Sequence, residues 1–159
     1  MKARIIHEMR SLFGDDRRRI NHALSVLTYA ETLLKTEPAD DLTVVAAAIL
    51  HDIGIHEAER KYHSSAGNYQ EIEGPPIARA ILERVGVDPV RTDVVCRIIS
   101  LHHHATGLDT PEFRILWDAD WLVNIPDEYP GWEPARLRPI VRKVFKTDSG
   151  RTLAEILFL

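Results

Sequence analysis

The segment Leu42-Thr43-Val44-Val45-Ala46-Ala47-Ala48-Ile49-Leu50 constrains the chain more than any other. It is apolar on every side of a helical projection, and a helix without a polar face has to be buried on all sides. At nine residues it is far short of the ~20 that a membrane-spanning helix needs. Its place is therefore the centre of a water-soluble core. Asp40 or Asp41 can cap its start by accepting free backbone N–H groups. Gly54 can end it in the left-handed conformation, so the helix is expected over about Asp41–Ile53.

The remaining periodic segments also read as helices. Asp16–Lys35 carries the stripe Ile20, Ala23, Leu24, Leu27, Ala30, Leu34 and a second row His22, Val26, Tyr29, Leu33. Three start signals follow, each placing proline in a first turn: Pro75-Pro76, Asp88-Pro89 and Thr110-Pro111. They open helices expected to end near Gly86, His103 and Asn124. Glu57–Glu73 lacks clean periodicity and reads as loop or a short helix. The prolines at 126, 130 and 134 mark a loop, and helices follow over about Ala135–Phe145 and Thr152–Phe158. No strand pair is evident. The fold class is all-α, a compact bundle of six to eight helices in one domain spanning 1–159.

Net charge is −4 with a pI near 6.0, which argues against a duplex nucleic-acid binder. One cysteine, Cys96, rules out an intrachain disulfide and fits a reducing compartment. With no signal-peptide core and no membrane-length segment, the expected location is cytoplasmic, without a membrane partner. Oligomeric state is not legible. Eight histidines in 159 residues, three of them consecutive at 102–104, turn attention to metal or acid–base chemistry.

His51 and Asp52 stand at the end of the apolar helix and emerge among core-facing residues. A histidine there compensates the helix dipole, but a carboxylate lies at the wrong end of it. Burying that carboxylate unpaired costs several kcal/mol, which a divalent cation or a hydrogen-bond network must offset. His102 follows Ile98 and Ile99 by one turn and should point inward. His103 is rotated from it by about 100°, and His104, about 200° round, reads as a solvated helix end. Asp118 and Asp120 lie on nearly opposite sides of their helix, both on apolar rows, and periodicity does not choose between them. Arg17-Arg18-Arg19 fits either a solvated helix start or a phosphate contact. The tryptophans Trp117, Trp121 and Trp132 read as core, with a wall of the site as a further use.

The order His22, then His51-Asp52 within AAAILHDIGI, then Asp120 within LWDADWL resembles the HD-domain superfamily of metal-dependent phosphohydrolases. Arg19 three residues before His22, the GPPIARAILERVG helix and IISLHH belong to the same likeness, which spans about residues 17–125. The resemblance implies an all-helical fold in which His22, His51, Asp52 and Asp120 converge on one divalent transition metal, Mn, Fe, Co, Ni or Zn, with a second metal possible through His102 and His103. Asp120 takes precedence over Asp118 because the family ligand precedes a large residue and leucine, here Trp121-Leu122. It further implies hydrolysis of a small phosphate ester such as a nucleotide by metal-activated water. His102 and Arg19 are the catalytic candidates, and His103 and Lys61 the substrate-binding ones; a solvated loop position also accounts for Lys61. Ile55 stands where many relatives have lysine, and the glutamate-aspartate and Gly-Tyr-Pro signatures of two specialised branches are absent. A domain that senses metal and nucleotide without turnover, and an oxygen-activating binuclear iron enzyme, are the competing expectations.

Overall fold

The computed structural model describes residues 1–159. The chain is all-helical, as expected, and its elements are α1 (Lys2–Phe13), α2 (Arg17–Leu34), α3 (Asp41–Leu50), α4 (Ile55–Tyr62), α5 (Gly67–Val85), α6 (Pro89–Leu101), α7 (Pro111–Glu128), α8 (Pro134–Val144) and α9 (Asp148–Phe158). The apolar helix α3 is the hub. Every residue from Thr43 to Leu50 is buried, and α1, α2, α6 and α7 all pack on it. Together these helices fill one core, with Ile5, Met9, Ile49, Leu50, Ile98 and Phe113 wholly enclosed. No helix is long and apolar enough to cross a membrane.

The starts follow the side chains. Asp16, Asp40, Asp88, Thr110 and Thr147 each accept the backbone N–H three residues on, capping α2, α3, α6, α7 and α9. Asp40 also takes the Thr43 hydroxyl at 2.6 Å and a two-pronged contact from Arg91, fastening the start of α3 to α6. The Arg91 guanidinium and the Thr43 hydroxyl hold the Asp40 carboxyl well below the usual carboxylate range.

Five features differ from the sequence reading. Residues 2–13, assigned no element there, form α1, whose Ile5, Met9 and Phe13 bury against the core. Helix α5 starts at Gly67, not at Pro75-Pro76, and runs through both prolines. Tertiary packing overrides the proline signal, because α5 is held along its length by α4 and α6. Helix α7 likewise passes Pro126 to Glu128, and α9 begins at Asp148 under its Thr147 cap.

Gly54 is the fifth. It does not take the left-handed conformation; its φ is −83°. Glycine is required there by contact, since a Cβ would lie 2.5 Å from the backbone nitrogen of Gly74 and 2.8 Å from the carbonyl oxygen of Gln70. Helix α3 ends at Leu50, so His51 and Asp52 occupy a tight turn pressed on α5. Gly54→Ala is expected to cost about 3 kcal/mol in urea unfolding, because two backbones must part. Gly131→Ala, at a φ of +73° in open space, should cost only about 1 kcal/mol.

Candidate metal centre

Three separate stretches deliver four polar side chains to one point. His22 comes from the second turn of α2, His51 and Asp52 from the turn after α3, and Asp120 from the middle of α7. The two imidazole Nε2 atoms are 3.1 Å apart. Asp52 Oδ2 lies 3.3 Å from each of them. Asp120 Oδ1 lies 3.2 Å from His22 Nε2 and 3.5 Å from His51 Nε2. His51 is fully buried, while His22, Asp52 and Asp120 are partly buried.

The hydrogen bonds around this point decide its chemistry. His51 Nδ1–H donates to the Ala48 carbonyl at 2.8 Å, which leaves Nε2 as a lone pair in the neutral ring. That lone pair faces two carboxylates. Acceptors crowded on acceptors require positive charge between or upon them. Without a cation the charge falls on the ring. Burial opposes it, but Asp52 and Asp120 outweigh burial and raise His51 well above its ordinary value. Burial likewise opposes ionisation of Asp52 and Asp120, and the facing histidines still hold both carboxyls well below theirs. A divalent ion satisfies the same lone pairs without protonating them. Two imidazoles and two carboxylates make a mixed nitrogen and oxygen set suited to first-row divalent metals. The residues therefore fit such an ion.

His102 repeats the pattern. Its Nδ1–H donates to the Ile99 carbonyl at 2.7 Å, and its buried Nε2 has no hydrogen-bond partner while standing 3.4 Å from Asp52 Oδ1. Asp52, His102 and His103 present donor atoms within 4.8 Å of one another, a second grouping able to hold an ion. His103 leans on Gly67, where any Cβ would collide with its ring. Its Nδ1 lies 3.1 Å from the buried Glu71, which also accepts His104 Nε2 at 2.8 Å. His104 is thus mostly exposed but not merely solvated.

The structure separates the two aspartates of α7. Asp118 is fully buried and faces away from the histidines. It accepts the Lys146 and Thr147 backbone N–H groups, both at 2.8 Å, and the Thr147 hydroxyl at 2.6 Å. It pins the start of α9, with Gly150 leaving the room. Burial pushes its carboxyl up, against those hydrogen bonds.

Above the four side chains opens a cleft of about 670 Å³ between α2 and α7, lined by Arg18, Arg19, His102, His103, Trp117 and Trp121 among others. Arg19 is engaged, donating to Asp16 at 3.1 Å and to Glu59 at 2.7 Å. Lys61 does not reach the cleft. Its ammonium pairs with Glu73 at 3.1 Å on the outer side of the α4–α5 hairpin, because α4 turns it that way. Sequence reasoning missed Glu71, whose segment shows no periodicity, and Asn124, whose amide donates to Asp120 Oδ1 at 3.0 Å. The i,i+4 spacing from Asp120 was the available signal for Asn124.

Two comparisons with known proteins find a match. The sequence matches the HD domain over residues 19–125. The crystal structure of a predicted HD superfamily hydrolase from an uncultured Thermotogales bacterium superposes with a TM-score of 0.68 at 27% identity, covering 96% of this chain and 82% of that one. No curated protein matches the chain.

Asp118→Ala should lower unfolding stability by about 3 kcal/mol, because three donors lose their acceptor, and leave metal bound per folded chain unchanged. Asp120→Ala should do the opposite, emptying bound metal in elemental analysis with a smaller effect on denaturant midpoint. The cluster also sets a pH response. Asp52 and Asp120 are depressed, so their contribution is present above about pH 4 and lost below it. His51 is raised, so its contribution is complete below about pH 6.5 and fades as pH rises. Metal ligation needs neutral imidazoles. Added Zn²⁺ should therefore raise the melting temperature more at pH 8 than at pH 5.

Proposed function

The chain belongs to the HD-domain family, and on that premise we propose that it is a metal-dependent phosphohydrolase acting on a nucleotide or a related small phosphate ester. His22, His51, Asp52 and Asp120 would hold one divalent transition metal. The observation that carries this reading is the meeting of side chains from three stretches of chain at the floor of an open cleft, two imidazole nitrogens 3.1 Å apart and a carboxylate oxygen of Asp52 and of Asp120 each 3.2–3.5 Å from both. Once bound, such an ion supplies Lewis acidity, acidifying water and neutralising charge on a phosphoryl oxygen.

The chain's own residues do the positioning. The Ala48 carbonyl fixes the His51 tautomer and ring plane. Asn124 donates to Asp120 Oδ1, the same oxygen that faces His22 and His51, and so fixes the orientation of that carboxylate. His102, tied through Nδ1 to Ile99, keeps a free Nε2 beside Asp52 at the edge of the cleft, where it can accept a proton or a hydrogen bond from water. His103, backed by Glu71, lines the same wall and would contact the ester. Arg19 contributes by holding α2 to α4 through Asp16 and Glu59.

The test is phosphate release from a panel of nucleotides by purified protein reconstituted in turn with Mn²⁺, Fe²⁺ and Zn²⁺. Turnover is expected with at least one metal and should fall to background in Asp52→Ala and Asp120→Ala. Activity surviving both variants would identify a contaminant. Nucleotide binding with no product after hours would instead support a sensor that holds metal and nucleotide without hydrolysis.

A further inference from the structure

We infer that Arg18 and Trp121 form a two-walled clamp that selects a phosphate ester of an aromatic nucleoside, Arg18 taking the phosphate and Trp121 the base. The inference rests on the phosphohydrolase reading for its reaction but on separate residues for its selectivity.

The cleft contains two arginines and two tryptophans, and in each pair one member is engaged and the other free. Arg19 is neutralised by Asp16 and Glu59. Arg18, one residue earlier, also lines the cleft, and no carboxylate pairs with it. It stands four residues before His22 on α2, one helical turn from the ring that faces Asp52 and Asp120, within reach of an anion held there. Trp117 donates its indole N–H to the Val144 carbonyl at 2.9 Å, carries the Lys146 ammonium over its ring at 4.9 Å and stacks on Phe113. Trp121 has no aromatic neighbour, no cation over its ring and no acceptor for its N–H, although it is half-buried and adjoins Asp120. A large aromatic face left open beside a polar cluster is suited to stack a planar ring.

The row Asp120, Asn124, Asp127 continues outward along α7. Asp127 stands about 10 Å along the axis from Asp120 and is exposed, without an ion-pair partner. A free carboxylate at that distance complements sugar hydroxyls or an exocyclic amine. A bare alkyl phosphate offers neither these donors nor a ring for Trp121.

Binding can be read without turnover. Indole fluorescence of the Zn²⁺-supplemented protein should be quenched by adenosine 5′-monophosphate and much less by ribose 5-phosphate at equal concentration. Trp121→Leu should weaken adenosine 5′-monophosphate about tenfold or more and leave ribose 5-phosphate nearly unchanged, with Trp121→Phe restoring most of the difference. Arg18→Gln should weaken both ligands to a similar extent. Equal affinity of the two ligands for the native protein, or a Trp121→Leu variant that binds both as the native protein does, would overturn the clamp. Hydrolysis of both esters with equal KM would also overturn it while leaving the phosphohydrolase standing. Selective nucleotide binding with no hydrolysis would uphold the clamp and bring down the enzymatic reading instead.

Discussion

Two imidazole nitrogens lie 3.1 Å apart, each faced by two carboxylate oxygens at 3.2–3.5 Å, at the end of the most apolar helix in the chain. That arrangement is unfavourable unless positive charge resides among them, since ionised carboxylates in a low-dielectric setting lose their hydration and have to be compensated. The rest of the fold makes the arrangement unavoidable. Helix α3 is enclosed by α1, α2, α6 and α7, so the turn that follows it cannot move away. The Ala48 carbonyl takes the only proton of neutral His51 to the side facing away from the acids. A core built for apolar packing thus ends in a point that demands a cation.

Close backbone approach does as much as the side chains. Gly54 meets the backbone of α5 at a distance no other residue allows, and this locks the turn bearing His51 and Asp52. Further along α5, Gly67 gives space to the His103 ring, and Glu71 one turn later holds its Nδ1. Helix α5 is therefore a template for both histidine groupings. That role explains why it continues through two prolines: the contacts with α4 and α6 outweigh the lost hydrogen bonds.

The two aspartates of α7 show how one helix separates stability from chemistry. Asp118 and Asp120 differ by two residues and hence by about 200° of rotation. Asp118 is buried among N–H donors that fasten α9, and Asp120 turns to the histidines. The arginine pair on α2 and the tryptophan pair on α7 divide in the same way, one of each spent on the framework and the other left facing the cleft.

Residue order and periodicity determined the helical class, the central place of α3, the caps at Asp40, Asp88 and Thr110, and the inward direction of His51 and His102. These follow from local rules: a helix polar on no side must be buried, and a short acidic or hydroxyl side chain before an apolar stripe satisfies free N–H groups. The set His22, His51, Asp52 and Asp120 was legible through family resemblance, whereas periodicity left Asp118 and Asp120 equal. Only tertiary structure decided the rest. It placed Lys61 on Glu73 and away from the cleft, joined Glu71 to His103 and His104, and made Gly54 a contact residue when its position suggested a left-handed cap. Each of these depends on which distant segment packs opposite. That is set by the burial of whole helix faces together, and no short window of sequence contains it.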